Sequence, residues 1–161
     1  MKKSTGVILL LLLAASLQAQ QTRFENSTGN ETATYFEAIE WYKNLAGKYA
    51  EITVKEMGLS DAGYPLHLVL LSKDKTFEPA LWQQNHKAVF FILIVIHPGE
   101  PDGIDASMMM ARDLLQKNLP WPDNIVMAII PVYNIGGALN RSGTSRVNQN
   151  GPLAYGFRGN A

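Results

Sequence analysis

The 161 residues contain no cysteine. That absence excludes a disulfide framework, thiolate metal ligands and a cysteine nucleophile. It also removes the residue on which a bacterial lipid anchor is usually built. An excess of either charge is missing too, with 14 Lys and Arg against 14 Asp and Glu. No basic field therefore points to nucleic acid, and no acidic tail to a solvating segment. Long hydrophobic runs are absent, since a membrane-crossing helix needs about 20 apolar residues. The apolar stretches Val7–Ala15 and Ala88–Ile96 each end after nine. What is present is an ordinary globular composition, 47% hydrophobic, enough for one domain or part of a larger one.

Residues 1–19 read as an export signal. Lys2 and Lys3 give a basic start, Val7–Ala15 the apolar middle, and Ala14 to Ala19 the small residues that suit cleavage. The mature protein is expected to be secreted or periplasmic, with no membrane attachment after cleavage. Residues 20–33 form a polar leader rich in Asn, Ser, Thr and Gly, expected to be loose.

Thr34 and Glu37 make a capping box, so a helix is expected from there to Gly47. Tyr35, Ile39, Tyr42 and Ala46 fall on one face with Ala38, Trp41 and Leu45 beside it, a pattern of core packing. Strands near 52–57 and 66–72 flank the turn formers Ser60, Asp61, Gly63 and Pro65, which predicts an antiparallel hairpin. Residues 73–86 read as a polar connection. A second helix is expected over 104–117, with Ile104, Met108, Ala111 and Leu115 toward the core and Arg112, Asp113 and Lys117 toward solvent. Its methionines could line a groove, but core packing is the simpler reading. A second apolar strand follows over 124–134. Strand, helix and strand from 87 to 134 make a βαβ unit with a parallel pair. The expected fold class is α/β, a mixed, largely parallel sheet flanked by helices.

The stretch Ala88–Ile96 has β-branched and aromatic residues on both alternating faces, as a strand buried on both sides of a sheet does. It ends abruptly in His97-Pro98-Gly99-Glu100. Pro98 and Gly99 are turn residues that can aim both flanking side chains at one spot. Ligand sites in open α/β sheets lie just beyond the carboxyl ends of strands. His97 and Glu100 are therefore candidate zinc ligands, imidazole and carboxylate both being suitable donors. The competing reading is a solvated His and Glu in a surface turn. His67, between Leu66 and Leu68, is expected to face solvent or a satisfied core contact, and His86 lies too far along the extended segment to join His97.

Taken together, Gly58–Leu66 ahead of a strand, the strand ending His97-Pro98-Gly99-Glu100, the strand ending Pro131-Val132-Tyr133-Asn134 and the Arg/Asn-rich stretch after it resemble the N-terminal part of the zinc metallocarboxypeptidases of the carboxypeptidase A-like type. The resemblance covers residues 34–161 and implies an incomplete catalytic domain of α/β/α architecture. It implies Zn2+ as cofactor, His97 and Glu100 as two of its ligands, and hydrolysis of C-terminal residues from peptides. In such enzymes a third histidine ligand, a glutamate base and an Asn-Arg pair for the substrate carboxylate lie further on, and nothing up to Ala161 matches them. The resemblance also implies an oxyanion-stabilising arginine, matched best by Arg146, with Arg141 and Arg158 as alternatives and an exposed surface arginine as the plain reading. Many members carry an arginine directly before the glutamate ligand, where this chain has Gly99. That departure keeps open a related amidohydrolase or deacylase acting on small acylated amino acids. A non-catalytic secreted binding module is the third possibility. The 161 residues alone are expected to be inactive.

Overall fold

The computed structural model describes residues 20–140. The proposed signal segment and Arg141, Arg146 and Arg158 lie outside them. The elements in chain order are α1 (Arg23–Asn26), α2 (Tyr35–Ala46), β1 (Ile52–Leu59), β2 (Pro65–Ser72), α3 (Pro79–Gln84), β3 (Ala88–Leu93), α4 (Asp102–Leu115), β4 (Ile125–Ile130) and α5 (Ile135–Leu139). No helix among the described residues is long and apolar enough to cross a membrane.

The four strands form one sheet in the order β1-β2-β4-β3. β1 and β2 are the expected antiparallel hairpin, β2 and β4 are also antiparallel, and β3 and β4 are the parallel pair around α4. The sheet is mixed and flanked by helices, as expected, and among the described residues its parallel pair is β3 with β4.

Alternation along the strands sorts the core into two layers. Val69, Leu71, Met127 and Ile129 face α2 and α4, while Leu70, Val126 and Ala128 face Trp82 of α3. The capping box at Thr34 forms, with the Glu37 amide donating to the Thr34 hydroxyl and the Thr34 amide to the Glu37 carboxylate. Tyr35, Ala38, Ile39, Trp41, Tyr42 and Leu45 are buried, as their spacing predicts. Ile104, Met108, Ala111 and Leu115 are likewise buried, so the methionine face is core.

Four expectations change. The strand buried on both faces is β4, not β3. β3 has one strand neighbour among the described residues, and Val89, Phe90, Phe91 and Leu93 are exposed. An apolar run reports only that both faces suit burial. Which strand sits in the middle depends on pairing, which periodicity does not encode. Second, the connection 73–86 contains α3, which starts with Pro79 in its first turn and buries Trp82 with its indole N–H on the Thr76 carbonyl at 2.8 Å.

Third, the leader is docked. Thr22 and Glu25 form a capping box of their own, Thr22 and Thr32 are buried, and the Thr32 hydroxyl donates to the buried Asp105 carboxylate. Fourth, Arg112 is buried rather than solvent-facing, because its guanidinium donates to both Glu25 carboxylate oxygens at 2.9 and 2.7 Å. That ion pair ties the leader to α4 and holds the Glu25 carboxyl below its ordinary range. Arg112→Met should cost about 1.5–3 kcal/mol, the usual worth of hydrogen bonds to charged groups. It should also raise amide exchange over residues 20–33, read by denaturant melts and exchange mass spectrometry.

His67 is a buried contact. Its Nδ1 lies 3.2 Å from the Tyr35 hydroxyl, which itself donates to the Pro65 carbonyl at 2.6 Å. Burial pushes the imidazole pKa down, and the Lys43 ammonium adds to this against the opposing Glu56 carboxylate. The folded state thus binds fewer protons here than the unfolded chain. The stability from neutral His67 is complete above the unfolded value of about 6.5 and is lost as pH falls through it toward the depressed folded value. The melting temperature should decline over this range, and His67→Gln should flatten the decline.

Candidate functional site

The organising feature is the exit from β3. Strand geometry stops at Leu93, and Val95 takes φ +56° although it is β-branched. Such a residue in the left-handed region costs on the order of 1–3 kcal/mol and persists only where its surroundings impose it. Here the end of β4 imposes it. The Tyr133 amide donates to the Ile94 carbonyl at 2.8 Å, and the Asn134 amide to the Val95 carbonyl at 3.0 Å. Ile94 and Val95 are buried, and the chain turns outward so that Ile96 and His97 emerge at the surface.

Residues 97–100 then close a tight turn, the Glu100 amide donating to the His97 carbonyl at 3.0 Å. A turn of this kind puts its first and fourth residues side by side. His97 Nδ1 and Glu100 Oε2 are 3.3 Å apart, with the two side chains 52% and 37% exposed. Pro98 and Gly99, between them, are buried. The two candidate ligands are therefore brought together, on the surface and beyond the carboxyl end of a strand.

The back of the turn rests on α5. The Asn134 side chain accepts from the Gly137 amide at 2.9 Å and donates to the Ile96 carbonyl at 3.4 Å, linking the α5 cap to the segment before His97. A Cβ on Gly137 would lie 2.3 Å from Pro98 Cγ and 2.9 Å from Asn134 Oδ1. On the other side, a Cβ on Gly103 would lie 2.8 Å from Ile94 Cγ2. Val95, Asn134 and Gly137 were not singled out as site-forming residues from the sequence. The pair Gly136-Gly137, one residue beyond Asn134 in Asn134-Ile135-Gly136-Gly137, was the available signal, since adjacent glycines mark a close backbone approach.

In front of the turn is a cleft of about 490 Å³ lined by Ser60, Asp61, Leu66, Ile96, His97, Tyr133 and Asn134. Its far wall is the β1–β2 turn, held by the Ser60 amide and hydroxyl on the Tyr64 carbonyl at 2.8 and 2.9 Å. The volume suits a small ligand or one or two residues of a peptide.

The donor set can be tested against zinc. Two ligands about 2.0–2.1 Å from a tetrahedral ion lie about 3.3–3.4 Å from each other. His97 Nδ1 and Glu100 Oε2 stand at that separation without any movement. No group of three or more His, Cys, Asp or Glu side chains that could hold a metal occurs among the described residues. His67 is committed to Tyr35, and His86 precedes β3 at its other end. The separation and the donor chemistry of the pair are those that two corners of a tetrahedral zinc site require.

No family model and no curated protein matches the sequence. Solved structures do match in fold. Carboxypeptidase A from Helicoverpa armigera superposes with a TM-score of 0.57 at 21% identity, over 81% of this chain and 31% of that one. A protein described as a carboxypeptidase A from Shewanella denitrificans gives 0.55 at 17% identity, over 79% and 29%. Bovine thrombin-activatable fibrinolysis inhibitor, solved in complex with tick carboxypeptidase inhibitor, gives 0.51 at 20% identity, over 68% and 33%. This chain thus spans about a third of the length of the structures it matches.

Gly137→Ala should displace Pro98 and cost about 1–3 kcal/mol, as overpacking does. Denaturant melts would measure the loss, and chemical-shift changes should concentrate on residues 96–100. The described residues carry the fold of one part of a carboxypeptidase A-like structure.

Proposed function

We propose that the chain is part of a zinc-dependent carboxypeptidase and that His97 and Glu100 hold its metal. The observation that carries this reading is the 3.3 Å separation of an imidazole nitrogen and a carboxylate oxygen at a strand end, beside a peptide-sized cleft, in a carboxypeptidase A-like fold. Zinc bound there would polarise a substrate carbonyl and lower the pKa of its water toward about 7. The chain's own residues orient and receive. The Pro98-Gly99 turn holds the two donors, Asn134 and the α5 cap fix the turn, and Leu66, Ile96 and Tyr133 give the cleft apolar walls. Arg146 is proposed as the oxyanion donor. The substrate is a peptide carrying a free C-terminal carboxylate, and the protein acts outside the cytoplasm after removal of residues 1–19.

A deacylase or related amidohydrolase is the second reading, favoured by Gly99. Where an arginine beside the glutamate ligand would bind substrate, this chain has a buried residue without a side chain.

Zinc titration tests the ligand pair on the chain itself. Zn2+ should shift the imidazole NMR signals of His97 and leave those of His67 and His86 unchanged, and His97→Ala and Glu100→Ala should each abolish saturable binding. Equal responses from all three histidines, or undiminished binding in either variant, would refute the assignment. The product of the complete reading frame should hold about one zinc per chain, as a three-ligand site does. It should cleave a peptide with a free C-terminus and spare its amide.

A further inference from the structure

A second cavity, of about 650 Å³, lies at the end of the sheet opposite to His97. Glu51 before β1, Lys73 after β2 and Trp121 before β4 line it, together with the last turn of α4 and the chain just beyond. The Ser72 amide bonds the Glu51 carbonyl at 2.9 Å, and Ser72 pairs with Val126, so these segments meet at one end. His97 follows the other end, past the pairing of Leu93 with Ile130. The two cavities share no lining residue.

The walls are mainly apolar. Leu114 and Leu115 are buried, Tyr49 and Trp121 pack half-buried on the same core, and Leu119 is exposed. The charges do not cancel. Lys73 is held by Asp123 at 2.6 Å and by the Trp121 carbonyl at 3.2 Å, and Glu51 by Lys75 at 3.4 Å. The Lys117 ammonium has no such partner among the described residues. Lys117 also takes φ +63°, at a helix end where glycine usually supplies that conformation. Residues held in this way gather at functional sites and ligand clamps. The carbonyls of Arg112, Asp113 and Leu114 already accept from the amides of Gln116, Asn118 and Lys117, at 2.9, 2.8 and 3.1 Å. The end of α4 therefore meets an anion with these carbonyls bonded. Trp121 adds a donor, since its indole N–H is closed off from water and has no acceptor among the described residues. Buried polar groups are nearly always hydrogen-bonded, and an exception calls for a partner.

We propose that this cavity binds a small apolar carboxylate. Lys117 and the Trp121 N–H receive the carboxylate, and Leu114, Leu115 and Leu119 enclose the hydrocarbon body. The volume is in the range of small-molecule sites. A neutral chain leaves Lys117 unmatched. An amino acid brings an ammonium as well, and the one carboxylate in the wall, Glu51, already faces Lys75. The proposal does not depend on metal binding at His97.

Titration of the 161-residue chain with octanoate, followed by the indole N–H signals of its three tryptophans, tests it. The Trp121 signal should shift saturably while those of Trp41 and Trp82 stay. Octylamine, 1-octanol and leucine should each bind at least about tenfold more weakly, as loss of a charge-assisted contact implies. Lys117→Gln should weaken octanoate to the same degree, and His97→Ala should leave it unchanged. A lysine near a helix C-terminus also favours the helix by its charge alone. If Lys117→Gln lowers the melting temperature but binds octanoate as before, the residue is only a helix-end charge and the proposal fails. Absence of a saturable Trp121 shift, equal shifts at all three indoles, or equal binding of octylamine or octanol would also overturn it.

Discussion

The parallel pairing of β3 with β4 does not stop where the two strands stop. Past Leu93 the ladder is carried on by the amides of Tyr133 and Asn134 on the carbonyls of Ile94 and Val95. These two bonds hold a buried valine in a backbone conformation that β-branched residues avoid. The rest of the site follows from that constraint. The chain is forced out of the sheet at Ile96, and the turn of residues 97–100 begins at the surface rather than inside the core. His97 and Glu100 arrive on the same side of it.

Rigidity behind the turn comes from close packing rather than from charge. Pro98 lies against Gly137 and Ile94 against Gly103, at separations that leave no room for a methyl group on either glycine. α4 and α5 therefore clamp the exit of β3 from two directions. α4 is in turn fixed by the leader, through Arg112 to Glu25 and through Asp105 to Thr32 and Ala33. A polar N-terminal segment thus supports the helix that bears on the site. The His97–Glu100 pair itself is half open to solvent, at 52% and 37% exposure of the two side chains.

The same strand that delivers the site is the edge of the described sheet. β4 is buried on both faces because β2 and β3 flank it, while β3, of nearly the same composition, stands at the edge. A strand with phenylalanines on both faces is suited to the middle of a sheet. Here it pairs with β4 alone among the described residues.

Local chemistry determined a good part of this protein from sequence alone. The capping box at Thr34, the 3.6-residue spacing of Tyr35, Ile39 and Tyr42, the turn formers at Ser60 to Pro65 and the break at His97-Pro98-Gly99-Glu100 each act over a few residues. Each therefore reads directly from the chain. Tertiary structure decided what depends on distant partners: that β4 rather than β3 is central, that Arg112 is buried on Glu25, that residues 20–33 dock, and that Asn134 and Gly137 brace the turn at Pro98. Pairing order and long-range ion pairs join residues tens of positions apart. Neither periodicity nor propensity carries any record of which of several equally apolar or equally charged partners will be met.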